Sequence, residues 1–149
     1  MMKREIFFRG QTRRKGQKVR MDGSPMEGNW VYGGVCHGTG DFSIIYGNLD
    51  EERERPTEKW VVYTDTVGQF TGRMDKNGKR IFEGDVCRFY GTEGYSDYVV
   101  FWDDTVSQWT VRQIDLGAKD VLDSYFAECC EVIGNIHDNP ELLEVSGDG

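Results

Sequence analysis

Five residues near the middle of the chain, Asp75-Lys76-Asn77-Gly78-Lys79, separate two β-forming runs, GQFTGRM and RIFEGDVCRFY. An Asn-Gly pair can take φ > 0 at both central positions of a type I′ turn, whose twist matches that of the strands it joins. The spacing therefore predicts a hairpin here, with the lysines keeping its tip in water. A chain that must reverse at this point is committed to antiparallel sheet on both sides of it. Glu83-Gly84-Asp85 interrupts the next strand, because Gly84 permits a bulge or turn and Asp85 can bond a nearby backbone N–H. Val86 and Phe89 then resume the core pattern. Site readings of the same residues fail on spacing. DKNGK lacks the third oxygen ligand and the terminal Glu of a calcium loop. Gly68, Gly72, Gly78 and Gly84 are wrongly spaced for a phosphate loop, and no Gly-Lys-Ser/Thr follows. Glu83 and Asp85 read better as turn caps than as an acid–base pair. The stretch is scaffolding.

The rest of the chain repeats the theme. Aromatic residues make up 13 % of the sequence and suit sheet faces, and 19 glycines against three prolines indicate many tight turns. REIFFR at 4–9, NWVYGGV at 29–35, DFSIIY at 41–46 and WVVY at 60–63 read as strands. The last, apolar on both faces, is expected to be buried. Gly33-Gly34 suggests a bulge, and LDEERERP at 49–56 an exposed linker. YVVFW and QWTV, separated by DDTVS, predict a second hairpin. Residues 115–125 hold a helical turn at most; EVIGNI at 131–136 is a late strand. Asp138-Asn139-Pro140 starts a short C-terminal helix through PELLEV. No internal repeat is visible. The expected fold is mainly β, and the length suits one domain or two small β modules.

Charge is unevenly placed. Residues 1–92 hold 16 Lys/Arg and 13 Asp/Glu, a net +3, whereas residues 93–149 hold 2 and 13, a net −11. Such a balance argues against a coat for duplex DNA and permits the basic front to meet the acidic back, within one chain or between neighbours. The segment from Arg9 to Arg20 holds six cations and no acid. Arg13, Arg14 and Lys15 are candidate contacts for a phosphate backbone or an acidic partner. Trp30 and Tyr32, beside Gly33-Gly34, are candidate aromatic anchors. Cys36, Cys87, Cys129 and Cys130 form no C-x-x-C pair, and a metal would have to draw Cys36-His37, His137 and Cys129-Cys130 together from distant segments. No catalytic residue, cofactor or metal site is expected. With no apolar run near the roughly 20 residues that span a bilayer, and no secretory leader in MMKREIFFRG, the expected setting is cytoplasmic.

Four blocks resemble the YopX family: REIFFRGQ at Arg4–Gln11, NWVYG at Asn29–Gly33, QFTGRMDKNGKRIFEGDV at Gln69–Val86 and EVIGNIHDNPELL at Glu131–Leu143. The departures are His137 and Asp138, where Tyr and Glu are usual, and an unusually basic RRKGQKVR. The resemblance implies a mostly β fold, an N-terminal β subdomain over 1–72 packed with a small SH3-like barrel and C-terminal helix over 73–149. It also implies phage or prophage origin, hence a bacterial host cell, and no established activity. It supplies no functional residues to carry over. Together with the charge split it points to a protein-interaction module forming homo-oligomers or binding a host or phage protein, the alternative being a nucleic-acid-binding regulator.

Overall fold

The computed structural model describes residues 6–18, 29–36, 40–50 and 55–144. The class is mainly β: eleven strands, one α-helix and two 3-10 turns among these residues. The chain separates into two compact units, Met1–Phe70 and Thr71–Gly149.

The first unit is a meander. β1 (Phe8–Gln11), β2 (Trp30–Cys36), β3 (Phe42–Asp50) and β4 (Arg55–Tyr63) follow one another, and a 3-10 turn, Thr64–Thr66, leads into β5 (Gly68–Met74). β5 returns to pair with β1, Phe8 opposite Gln69, so the order is β4-β3-β2-β1-β5. The turn is bolted on by Gln11, whose backbone N–H donates to the Thr66 hydroxyl at 2.8 Å. Ile45, Val62 and Phe70 supply the apolar interior. At Gly33 a Cβ would stand 1.9 Å from the Tyr46 carbonyl oxygen, and φ is +157°; the expected irregularity of β2 is the place where its pairing passes from β1 to β3.

Three expectations for this unit need correction. Residues 4–5 of the expected opening strand lie outside the described residues; the strand starts at Phe8, not at Ile6, which is exposed. WVVY buries one face, with Val62 fully enclosed and Val61 half exposed, because β4 ends the strand order and has β3 as its ladder partner. Much of the expected linker is strand, since Leu49 pairs with Pro56 and Asp50 with Arg55; residues 51–54 lie outside the described residues.

In the second unit β6 (Arg80–Phe82) lies beside β5 and is followed by β7 (Asp85–Gly91), β8 (Gly94–Asp103), β9 (Gln108–Gln113) and β10 (Lys119–Val121). Helix α1 (Ser124–Cys129) then leads to β11 (Cys130–Asn135), which pairs with β7. Period-two alternation puts Cys87, Val100, Val111 and Val132 on one face, where Ile81, Leu122, Phe126 and Ala127 cover them. Asp123 starts the helix by accepting a hydrogen bond from the Phe126 N–H at 2.8 Å. The helical turn expected within 115–125 thus lies later, and residues 119–121 form a strand. The C-terminal helix is a single 3-10 turn, Pro140–Leu143.

The sheet does not close into the expected SH3-like barrel. Its order is β10-β9-β8-β7-β11, with two outer strands. The reason lies in the Asp75–Lys79 turn. Lys76 N–H donates to the Cys130 carbonyl at 3.0 Å, and the Asp75 carboxylate accepts from Val132 N–H at 2.9 Å. These β11 groups, which a closing strand would need, are already occupied. The turn itself is not type I′. Among the described non-glycine residues only Ser107 has positive φ, so Asn77 does not, whereas Gly78 stands at +79°. Gly78 N–H donates to the Asp75 carbonyl and Asp75 N–H to the Lys79 carbonyl: a type I turn followed by a glycine bulge.

Both units therefore share one plan. Four meandering strands are followed by a short helical segment and a fifth strand that returns to the first, giving the orders β4-β3-β2-β1-β5, which β6 extends, and β10-β9-β8-β7-β11. The repeat absent from the residues is present in the topology.

Candidate functional site

The basic loop after β1 is built by its own arginines. The Arg13 guanidinium donates to the Gln17 carbonyl at 2.6 Å, and the Arg14 backbone N–H to the Gln17 side chain. Arg14 also ion-pairs with Asp65 at 2.9 Å and lies over the Tyr63 ring, 4.1 Å from its centre. Its hydrogen bond to Asp65 raises the guanidinium pKa above its ordinary value. Two of the three candidate cations thus shape the loop, while Lys15 and Gly16 form its exposed apex. Of the aromatic candidates, Trp30 is half-buried, with the Arg9 guanidinium 4.4 Å from its ring centre, and Tyr32 is 48 % exposed.

The second unit holds a surface that the sequence reading missed. The β7–β8 ladder sets Arg88 opposite Asp97 and Tyr90 opposite Tyr95. Arg88 grips Asp97 through two nitrogens, at 2.9 and 3.1 Å, which raises its pKa. Its guanidinium lies 3.9 Å from the Tyr95 ring centre. The Lys76 ammonium is 3.9 Å from the Tyr90 ring centre. The Tyr90 hydroxyl donates to Glu131 at 2.9 Å, and that bond pushes its pKa up. At the same end of the ladder Phe89 pairs with Ser96 and Gly91 with Gly94, and a notch of about 300 Å³ is lined by Phe89, Glu93, Tyr95, Ser96 and Tyr98 with the two glycines. The signal was legible in principle: in CRFYGTEGYSDY one alternating set is aromatic and charged, and the other thins to Gly, Gly and Ser.

The remaining candidates are structural. Asp85 is buried and accepts from the Phe82 N–H at 2.7 Å, the cap expected of it. Cys87 and Cys130 lie in the core; their mutual hydrogen bond and burial push the Cys87 thiol well up. Cys129 is half-buried. His37 lies outside the described residues, and among those described no three His, Cys, Asp or Glu side chains converge as a metal site. No helix among them is long and apolar enough to cross a membrane.

A solved structure similar to this chain is that of protein EF1440 from Enterococcus faecalis, 23 % identical over 93 % of this chain and 96 % of that one, with a TM-score of 0.47. No curated protein matches. The family model of the YopX protein matches residues 36–144, from the end of β2 to the residue after the last 3-10 turn. Spanning strands of both units and the turn between β5 and β6, that match places the chain in the YopX family.

Proposed function

We propose that this YopX-family chain is a non-enzymatic interaction module that self-assembles and serves as an accessory protein of a phage or prophage in the bacterial cytoplasm. The observation that carries the reading is the partition of charge. Residues 1–70 hold 11 Lys/Arg and 10 Asp/Glu, whereas residues 71–149 hold 7 and 16. The acidic unit of one copy can attract the acid-free basic run Arg9–Arg20 in the charge-balanced unit of another and steer their encounter. A host or phage protein with a basic face would compete for the same acidic unit. Size-exclusion chromatography with light scattering tests the idea: a concentration-dependent, salt-sensitive oligomer is expected, and a monomer at high concentration whatever the salt removes it.

The second reading, a nucleic-acid-binding regulator, rests on the run of six cations from Arg9 to Arg20. It is the weaker one, because Arg13 and Arg14 are engaged within their own loop. It requires a gel-shift complex at low salt that weakens when Arg13, Arg14 and Lys15 are reversed in charge; with no complex on DNA or RNA it is gone.

A further inference from the structure

We infer that the free edge of β4 is the contact of self-assembly, and that its occupant is β4 of a second copy, antiparallel and centred on Val61. The inference rests on the self-assembly reading above and names its contact. An unpaired strand edge is a template for another strand, and folds that stay apart seal theirs. Among the described residues, three of the outer strands are sealed from within. On β11 the Cys130 carbonyl accepts from the Lys76 N–H, and the Val132 N–H donates to Asp75. On β10 the Val121 N–H donates to the Asp120 carboxylate at 2.8 Å, and the Val121 carbonyl accepts from the Asp123 N–H at 3.0 Å. The three-residue β6 gives its Phe82 N–H to Asp85. The fourth, β4, is nine residues long and shows no such seal.

The phase of its ladder says which groups are free. Thr64 N–H donates to the Asp41 carbonyl, and Tyr63, Val61 and Lys59 stand opposite Phe42, Ile44 and Tyr46. Bonded and outward-facing residues alternate along an antiparallel edge. Val62, Trp60 and Glu58 therefore bond β3, while Tyr63, Val61 and Lys59 turn their backbone groups outward. On that side, among the described residues, the Lys59 and Val61 backbones bond nothing, and Tyr63 offers only its carbonyl, to the Thr66 hydroxyl at 2.6 Å. The edge is also open to approach. Lys59 is exposed and Val61 is 51 % exposed. Trp60 leans over β3, since a Cβ on Gly47 would stand 2.7 Å from its ring.

This edge is complementary to itself. With a twofold axis at Val61, that residue exchanges both backbone hydrogen bonds with its twin, and Tyr63 of each copy meets Lys59 of the other, donor to acceptor. Val61 then lies against Val61, a β-branched cross-strand pair on the exposed face. Lys59 selects this register. An axis at Lys59 would set like charges directly opposite, and one at Trp60 would put them on a diagonal. The Val61 axis keeps them about 13 Å apart along the strands. The contact is isologous and joins two copies through one continuous sheet.

Sedimentation velocity on the full-length wild type and Val61→Lys tests the edge. The variant sets two cations face to face and should weaken association about tenfold or more. Cross-linking tests the register and decides alone if Val61→Lys does not melt like the native protein. In a Cys36→Ser/Cys129→Ser protein, whose remaining cysteines are fully buried, a short bis-maleimide should join copies through Val61→Cys and not through Lys59→Cys. Wild-type assembly in Val61→Lys would overturn the edge and leave self-assembly standing. A monomeric wild type would overturn both. Cross-linking through Lys59→Cys alone would overturn the register. Assembly lost in Val61→Lys with no Val61→Cys cross-link would mean another occupant, and would overturn this one.

Discussion

Asp75 is the residue on which the second unit is most exposed to a single change. Its side chain is 6 % exposed. One carboxylate oxygen accepts from the Asn77 and Lys79 N–H groups, each at 2.9 Å. The other accepts from the Val132 N–H at 2.9 Å. Replacing it with alanine orphans all three donors. The two in the turn sit near water and recover part of their solvation, a loss of about 1 kcal/mol together; the Val132 N–H is buried and costs about 2–3 kcal/mol unpaired. The sum is about 3–4 kcal/mol. Asparagine is the sharper probe. Its single carbonyl can serve the turn or β11 but not both, and its amide then points a donor at a donor. Asp75→Asn should therefore cost about 2–3 kcal/mol although its shape is nearly unchanged. Urea unfolding followed by tryptophan fluorescence measures the loss, and hydrogen exchange locates it, since the Val132 amide should lose protection selectively. If Asp75→Asn lies within about 0.5 kcal/mol of wild type, the carboxylate does not join the turn to β11.

Three further outcomes follow from the same geometry. Gly78→Ala should cost about 1 kcal/mol, because φ is +79° while no atom lies within 4 Å of the added methyl; calorimetry should find Tm lowered by about 4–8 °C for a unit of this size, and an unchanged Tm would mean that the turn tolerates a side chain. In a Cys36→Ser/Cys129→Ser protein, Cys87 and Cys130 should react with a thiol reagent only as the unit unfolds, since both are fully buried; rapid labelling of the native protein would contradict that packing. The Tyr90 phenol, whose bond to Glu131 raises its pKa from 10.0, stabilises the fold fully below that pH and progressively less as pH rises through the raised value. In ultraviolet titration Tyr90→Phe should delete a late-ionising tyrosine, and identical alkaline limbs would show the bond to be unimportant.

The strands and hairpins were readable because each depends on local chemistry. The YVVFW and QWTV pattern and the turn residues around DDTVS sit in β8, β9 and the hairpin between them. Errors arose where a second partner decides. Asn77-Gly78 is compatible with two turn types, and the one adopted also supplies Asp75 to Val132, 57 residues along the chain. Residues 119–121, polar at two of three positions, become strand because β9 offers a ladder. Site residues were harder still. Arg13, Arg14 and Lys15 look alike in sequence; which of them meets Gln17 and Asp65 is decided by the fold. The notch depends on the register of Gly91 with Gly94, a pairing that a list of residues does not contain.

The return of each fifth strand to its first also sets the order of events when the chain is made. Phe8 cannot find its place beside Gln69 until β2, β3 and β4 have been synthesised, and Asp85 waits likewise for Asn135. Both closures span most of a unit, so contact order is high and folding should be slow, on the scale of milliseconds to seconds. Until β11 arrives, β7 presents an unpaired edge to every nascent neighbour, and the carboxylate of Asp75 has no Val132 to hold. The interval between synthesis of β7 and synthesis of β11 is when such a chain is most vulnerable to aggregation.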